Sequence, residues 1–132
     1  MKNITKSLAT LVLMVLFVVP VFSQSEADEM AYRAYLTTNK SLWKQLVKTV
    51  QEKFDQDTSD ENRYQLVLAQ HGLLNGTMTD QDEDLFDDYF KKAKGHLEEL
   101  IDNGYREANS RALLSSIYGW EMTVADGRWP LT

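Results

Sequence analysis

The stretch Leu85-Phe86-Asp87-Asp88-Tyr89-Phe90-Lys91-Lys92-Ala93-Lys94-Gly95-His96-Leu97-Glu98-Glu99-Leu100-Ile101 decides the fold. Leu85, Phe86, Tyr89, Phe90, Ala93, Leu97, Leu100 and Ile101 recur at steps of three and four, the period that lines one face of an α-helix. Thr79 is the expected cap of this helix. Asp80, Asp82, Glu83 and Asp84 then fall in its first turn, where negative charge meets the positive end of the helix dipole. Asn103-Gly104 closes it, a pair that tolerates the left-handed backbone of a helix C-terminus.

The same period extends both ways. After Gly104, Ala108, Ala112, Leu113, Ile117, Trp120 and Val124 form one side of a helix over 107–124. Before it, Thr58 and Glu61 have capping-box spacing and open a helix. Tyr64, Leu66, Val67, Leu68, Ala69, Leu73 and Leu74 make that helix apolar nearly all round, as a helix buried between neighbours is. Asn75-Gly76 is its expected stop. Leu42, Trp43, Leu46, Val47, Val50 and Phe54 give another one-sided helix, capped by Thr38 or Asn39. Met30, Ala31, Ala34 and Tyr35 line a short first helix, about 26–36, with Ser25 as its cap. Prolines stand only at positions 20 and 130, so nothing between them forbids helix. No run alternates long enough for a strand. Short links make successive helices antiparallel. The expected fold is therefore all-α: helices one and two as a hairpin, three and four as a second, and helix five left over, stacked as a short α-solenoid.

The N-terminal stretch reads differently. Lys2 and Lys6 precede an apolar run from Leu8 to Phe22, and Val21 and Ser23 occupy the −3 and −1 positions of a cut after Ser23. This is the layout of a secretory signal peptide, and the run is shorter than the roughly 20 residues of a spanning helix. The expected organisation is a signal peptide over 1–23, a helical domain over 24–125 and a tail over 126–132. The expected location is outside the cytoplasm, periplasmic or secreted, with membrane contact only through the signal segment if it stays uncleaved.

Composition narrows the partners. The net charge is −6, and the signal-like segment holds two basic and no acidic residues, so the remainder is more acidic still. Phosphate backbones are bound by Lys/Arg surfaces that displace counterions, and no basic stripe exists here; nucleic acid is not an expected partner. The chain has no Cys, so the domain is held by helix packing and not by the disulfides of many small secreted domains.

Several segments resemble tetratricopeptide-type repeats, units of about 34 residues in two antiparallel helices. Ala93, Leu97 and Leu100 have the spacing of the repeat's second-helix small, aromatic and small positions. Ala108 falls where the next unit begins, and Leu114 and Tyr118 fall on its Leu and Tyr positions. Ser115 stands where the repeat has Gly, Tyr105 where it has Pro, and Leu97 at the aromatic position. Ala34-Tyr35-Leu36 through Leu42-Trp43 also resembles exported TPR-like proteins of Bacteroidota-type bacteria. The resemblance implies a protein or peptide partner in a groove lined by first helices. It places Asn109, Ala112, Ser116 and Trp120 on the groove side of helix five, with Asn109, Ser116 and Trp120 as candidate ligand residues.

No catalytic, cofactor or metal residues emerge from the pattern. His71 and His96 lie too far apart along their hairpin to share a metal, and His71 is expected near Asp84. Asp80 onward fails as a calcium loop, because the sixth and twelfth positions, which need Gly and Glu, hold Leu85 and Lys91. Asp55 onward fails likewise, with Asp60 and Leu66 there. No nucleophile elbow or phosphate-binding glycine loop occurs. Helix five is half of a unit whose second half is missing, and Tyr118, Trp120 and Trp129 form an apolar end. A folded-back tail, a partner, or continuation in a longer protein would cover it. The expectation is a non-catalytic binding module. The alternatives are a self-associating structural protein, dimeric through helix five, a truncated remnant of a longer repeat protein, and more distantly an enzyme.

Overall fold

The structure, a computed structural model, describes residues 28–37 and 39–129. The expected signal segment and the start of the first helix lie outside the described residues. Residues 28–37 are helical (α1). They are followed by α2 (Lys40–Gln56), α3 (Asp60–Asp80), α4 (Glu83–Asp102) and α5 (Glu107–Ala125). No strand occurs among the described residues. The architecture is a short stack of antiparallel helical hairpins, each helix packed on its neighbour in order, with α3 touching α2, α4 and α5.

Helix α3 is central because it is apolar on two sides. Leu66, Ala69 and Leu73 face Leu46, Val47, Val50 and Phe54 of α2, with Met30 and Ala31 of α1 at the edge. Tyr64, Val67, Leu74 and Met78 meet Phe86, Phe90, Ala93 and Leu97 of α4 and Ile117 and Val124 of α5. Each fully buried large apolar side chain contributes about 1.5–3 kcal/mol relative to exposure, far more than the propensity differences along these helices.

That inequality explains why α3 does not stop at Asn75-Gly76 as its sequence suggests. Thr77 and Met78 are buried, and burying them outweighs the roughly 1 kcal/mol that glycine costs inside a helix. The chain turns only at Gln81, in the left-handed region at φ 56°. Asp82, not Thr79, then caps α4, its carboxylate accepting from the Leu85 N–H at 3.3 Å. At the other end of α3 the cap is Ser59, one residue beyond the expected Thr58, accepting from the Asn62 N–H. Asn39 caps α2 as expected, accepting from the N–H groups of Ser41 and Leu42.

Helix α5 has no side-chain cap. Arg106 takes a left-handed φ of 43° after Gly104 at φ 67°. This turn is instead docked on the first turn of α3: Asn103 donates to Asp60, the Tyr105 hydroxyl donates to Glu61, and Arg106 lies over the Tyr64 ring. The Tyr105 bond is the main reason the Glu61 carboxyl sits below its ordinary range. At the far end of α3, Lys40 bridges Asp80 and Asp82 at 3.0 and 2.9 Å. The bonds to Asp82 and then Asp80 raise the Lys40 amine above its usual value, and Lys40 in turn lowers Asp82.

Two expectations about α5 and the stack ends change. Ala108 and Ala112 are exposed; the buried side is Ser110, Ile117 and Val124, with Leu113, Leu114 and Trp120 half-buried beside it. The C-terminal end is partly lidded. Gly127 closes α5 in a left-handed turn, Arg128 N–H reaches the Thr123 carbonyl, and Trp129 packs on the core. The larger apolar exposure is at the opposite end, on α1, where Tyr32, Tyr35 and Leu36 are 64%, 70% and 60% exposed. Only Ala34 of α1 is fully buried; Tyr35, expected on the packed stripe, points away.

One buried side chain has no account in the packing. Gln70, 1% exposed, has no partner for either amide atom among the described residues. An unpaired buried polar group costs about 1–3 kcal/mol. Gln70→Met, of similar length and without the amide, is expected to raise the thermal midpoint, by about 1–2 kcal/mol in unfolding free energy. A lower midpoint would mean that the amide is satisfied in solution.

Candidate functional site

The face where α3 and α5 meet carries two of the three candidate ligand residues. His71, midway along α3, places Nε2 3.1 Å from the Ser116 hydroxyl of α5. The same imidazole lies against the Trp120 ring, with centroids 4.7 Å apart and planes tilted by 39°. Asn109 shares the row at helical spacing but is exposed and does not join this cluster. His71 thus faces α5 and bonds Ser116, where the sequence placed it near Asp84. Burial pushes its imidazole below the ordinary value, so at neutral pH the ring carries no charge.

A hydroxyl beside a neutral imidazole is the beginning of a nucleophile–base pair. The rest of such a machine needs an orienting group on the second ring nitrogen and donors for an oxyanion. No described residue bonds the His71 Nδ1, and Ser116 sits in the middle of a helix, where neighbouring backbone N–H groups are already committed to the helix ladder. What the arrangement offers is a hydrogen bond and a ring contact joining α3 to α5. The described residues bring together no group of three His, Asp or Glu side chains able to hold a metal ion.

Around this cluster the charge is partitioned by helix face. Beyond its first turn, the open row of α3 is Gln65, Leu68, Gly72, Asn75 and Thr79. The matching row of α5 is Asn109, Ala112, Ser116, Trp120 and Thr123. None of these ten is charged. The exposed sides of α2 and α4 are the reverse, with Lys44, Lys48, Glu52 and Lys53 on the one and Asp84, Asp87, Asp88, Lys91, Lys92, Glu98 and Glu99 on the other.

On its α1 side the α3 row borders a cleft with Trp43 at its base. One depression of about 310 Å³ is lined by Ala34, Tyr35, Leu36, Trp43, Asn75, Gly76 and Thr79. A second, of about 180 Å³, lies across Trp43 against Ala31, Leu46, Gln65 and Leu68. Trp43 reaches this position by lying on Gly72, where an added Cβ would stand 2.3 Å from the indole ring. Sequence reading placed Trp43 on the packed stripe of its helix but did not single out Gly72. The signal of Gly72 was a glycine in the middle of an otherwise apolar helix, which marks a close approach of a neighbour.

Compared with models of known protein families, with curated proteins and with solved structures, the chain matches none. The class is therefore defined by the fold alone, a short all-helical hairpin stack with an uncharged face on α3 and α5.

Proposed function

We propose that this protein is a non-catalytic, TPR-like binding module, exported to the periplasm or beyond, that holds a protein or peptide segment against the α1–α3–α5 face. The observation that carries the reading is the charge partition. In a chain whose residues are 26% charged, five consecutive row positions on each of α3 and α5 carry no charge, so covering this face desolvates no ion. Exposed apolar side chains lie within it, at Leu68, and beside it, at Tyr35 and Leu36. Exposed apolar side chains grouped on one uncharged face are a feature of interaction sites in globular proteins. The Asn75 and Asn109 amides and Ser116 supply the few directional polar groups that such a site needs.

A photo-activatable cross-linking residue placed at Leu68 or Ala112 is expected to capture a partner in cells. The same residue at Lys48 or Asp88, on the charged faces, is expected to capture none. Equal capture from both sets would overturn the assignment of the face. A second reading, self-association through α5, is favoured by Met122, which is 66% exposed; there the captured species would be a second copy of this chain.

A further inference from the structure

The second histidine lies away from the groove, in a cluster that the binding reading does not use. His96, late in α4, receives a hydrogen bond on Nδ1 from the Arg63 guanidinium of α3, at 3.1 Å. Both groups pack on Phe54, near the C-terminal end of α2: the imidazole edge-on with centroids 5.3 Å apart, the guanidinium 5.0 Å from the ring centroid. Three helices therefore meet at three side chains. An arginine only donates, so the His96 nitrogen facing it must accept, and the ring must be neutral with its proton on Nε2. A second proton would turn that acceptor into a donor and set two cations 3.1 Å apart in a half-buried site, where like charges are strongly unfavourable.

We propose that Phe54, Arg63 and His96 form an acid-sensitive latch, which releases the C-terminal end of α2 when the imidazole takes up its second proton. The charged groups that bear on His96 are Arg63 from α3 and Glu99 from α4; α2 contributes only the Phe54 ring. Glu99 favours the charged imidazole, but burial and then Arg63 act more strongly in the opposite sense and hold it below its ordinary value. Asp60 stands 4.0 Å from the Arg63 Nε, an opposite charge near the guanidinium but no hydrogen bond to it. The closed state thus binds this proton less readily than the open one. The latch stabilises the fold above the ordinary imidazole range and loses that contribution as pH falls through it. The opposite end of α2 is held by Lys40 with Asp80 and Asp82, a contact that contains no imidazole and in which Lys40 holds the Asp82 carboxyl below its ordinary value. Mild acid therefore loosens one end of α2 and leaves the other.

The test is hydrogen exchange of the full chain at pH 7 and pH 5, corrected for intrinsic exchange, on wild type and His96→Gln. Glutamine can still accept from Arg63 but takes up no proton in this range. In the wild type, protection over residues 50–57 is expected to fall by about tenfold or more, while residues 41–45 change by less than about twofold. In His96→Gln both segments are expected to stay level. An equal fall in the variant, or no fall in the wild type, would overturn the latch. Should the variant not fold, the wild type still decides by NMR. The Phe54 ring signals are expected to follow a His96 titration whose midpoint lies below that of an unstructured histidine. A midpoint at or above that value, or a silent Phe54, would reject it.

Discussion

Replacing Phe86 with alanine is expected to lower the unfolding free energy by about 3–5 kcal/mol, the range for emptying a fully buried aromatic site. Phe86 is 0% exposed, stacks on Phe90 at 5.8 Å, and lies in the cluster that joins α3 and α4 to α5. The site is enclosed by residues from three helices, so collapse around the missing ring is hindered and the cavity persists. Domains of this size are stable by only about 5–15 kcal/mol in all, which makes this single change a large fraction of the total. Urea unfolding followed by far-ultraviolet circular dichroism measures it. A shift below about 1 kcal/mol would mean that the three helices do not close over this position.

The second large effect is a change of sign. Alanine for glycine inside a helix normally stabilises by about 0.5–1 kcal/mol. At Gly72 the added methyl would stand 2.3–2.6 Å from three atoms of the Trp43 ring, so the indole must leave the α1–α3 cleft. Gly72→Ala is expected to destabilise by about 1–3 kcal/mol, the loss of a large part of one aromatic burial set against the helix gain. In a Trp43→Ala background the obstacle is gone, and the same substitution is expected to stabilise. The double-mutant cycle isolates the contact; additivity of the two changes would show that Trp43 does not rest on Gly72.

The helices were legible where a stripe of apolar residues is long and one-sided. The reading of α4 from Leu85 to Ile101 and of α2 from Leu42 to Phe54 needed only the helical period, because each packs through one face. The near-complete apolarity of α3 correctly marked it as the central helix. The candidate site was legible only in part. Ser116 and Trp120 were placed on the groove side by a resemblance to repeat proteins, yet their partner His71 was expected elsewhere. Which residues meet across a helix pair depends on axial offset and rotation, and these are fixed by how side chains interdigitate. A one-residue change in where α3 ends or α4 begins moves such pairings, and both boundaries differ from the sequence expectation.

What the sequence by itself determined is the local chemistry: five helices, their order, the buried faces of α2 and α4, and a net negative charge. These follow from periodicity and charge, which are properties of neighbours along the chain. The tertiary structure decided the rest. It carried α3 through Asn75-Gly76, because Thr77 and Met78 gain more from burial than glycine loses. It turned Ala108 and Ala112 outward and covered part of the C-terminal end with Trp129. It brought Phe54, Arg63 and His96 from three helices to one point. Each of these outcomes depends on contacts between residues distant in sequence, whose energies exceed the local preferences they override.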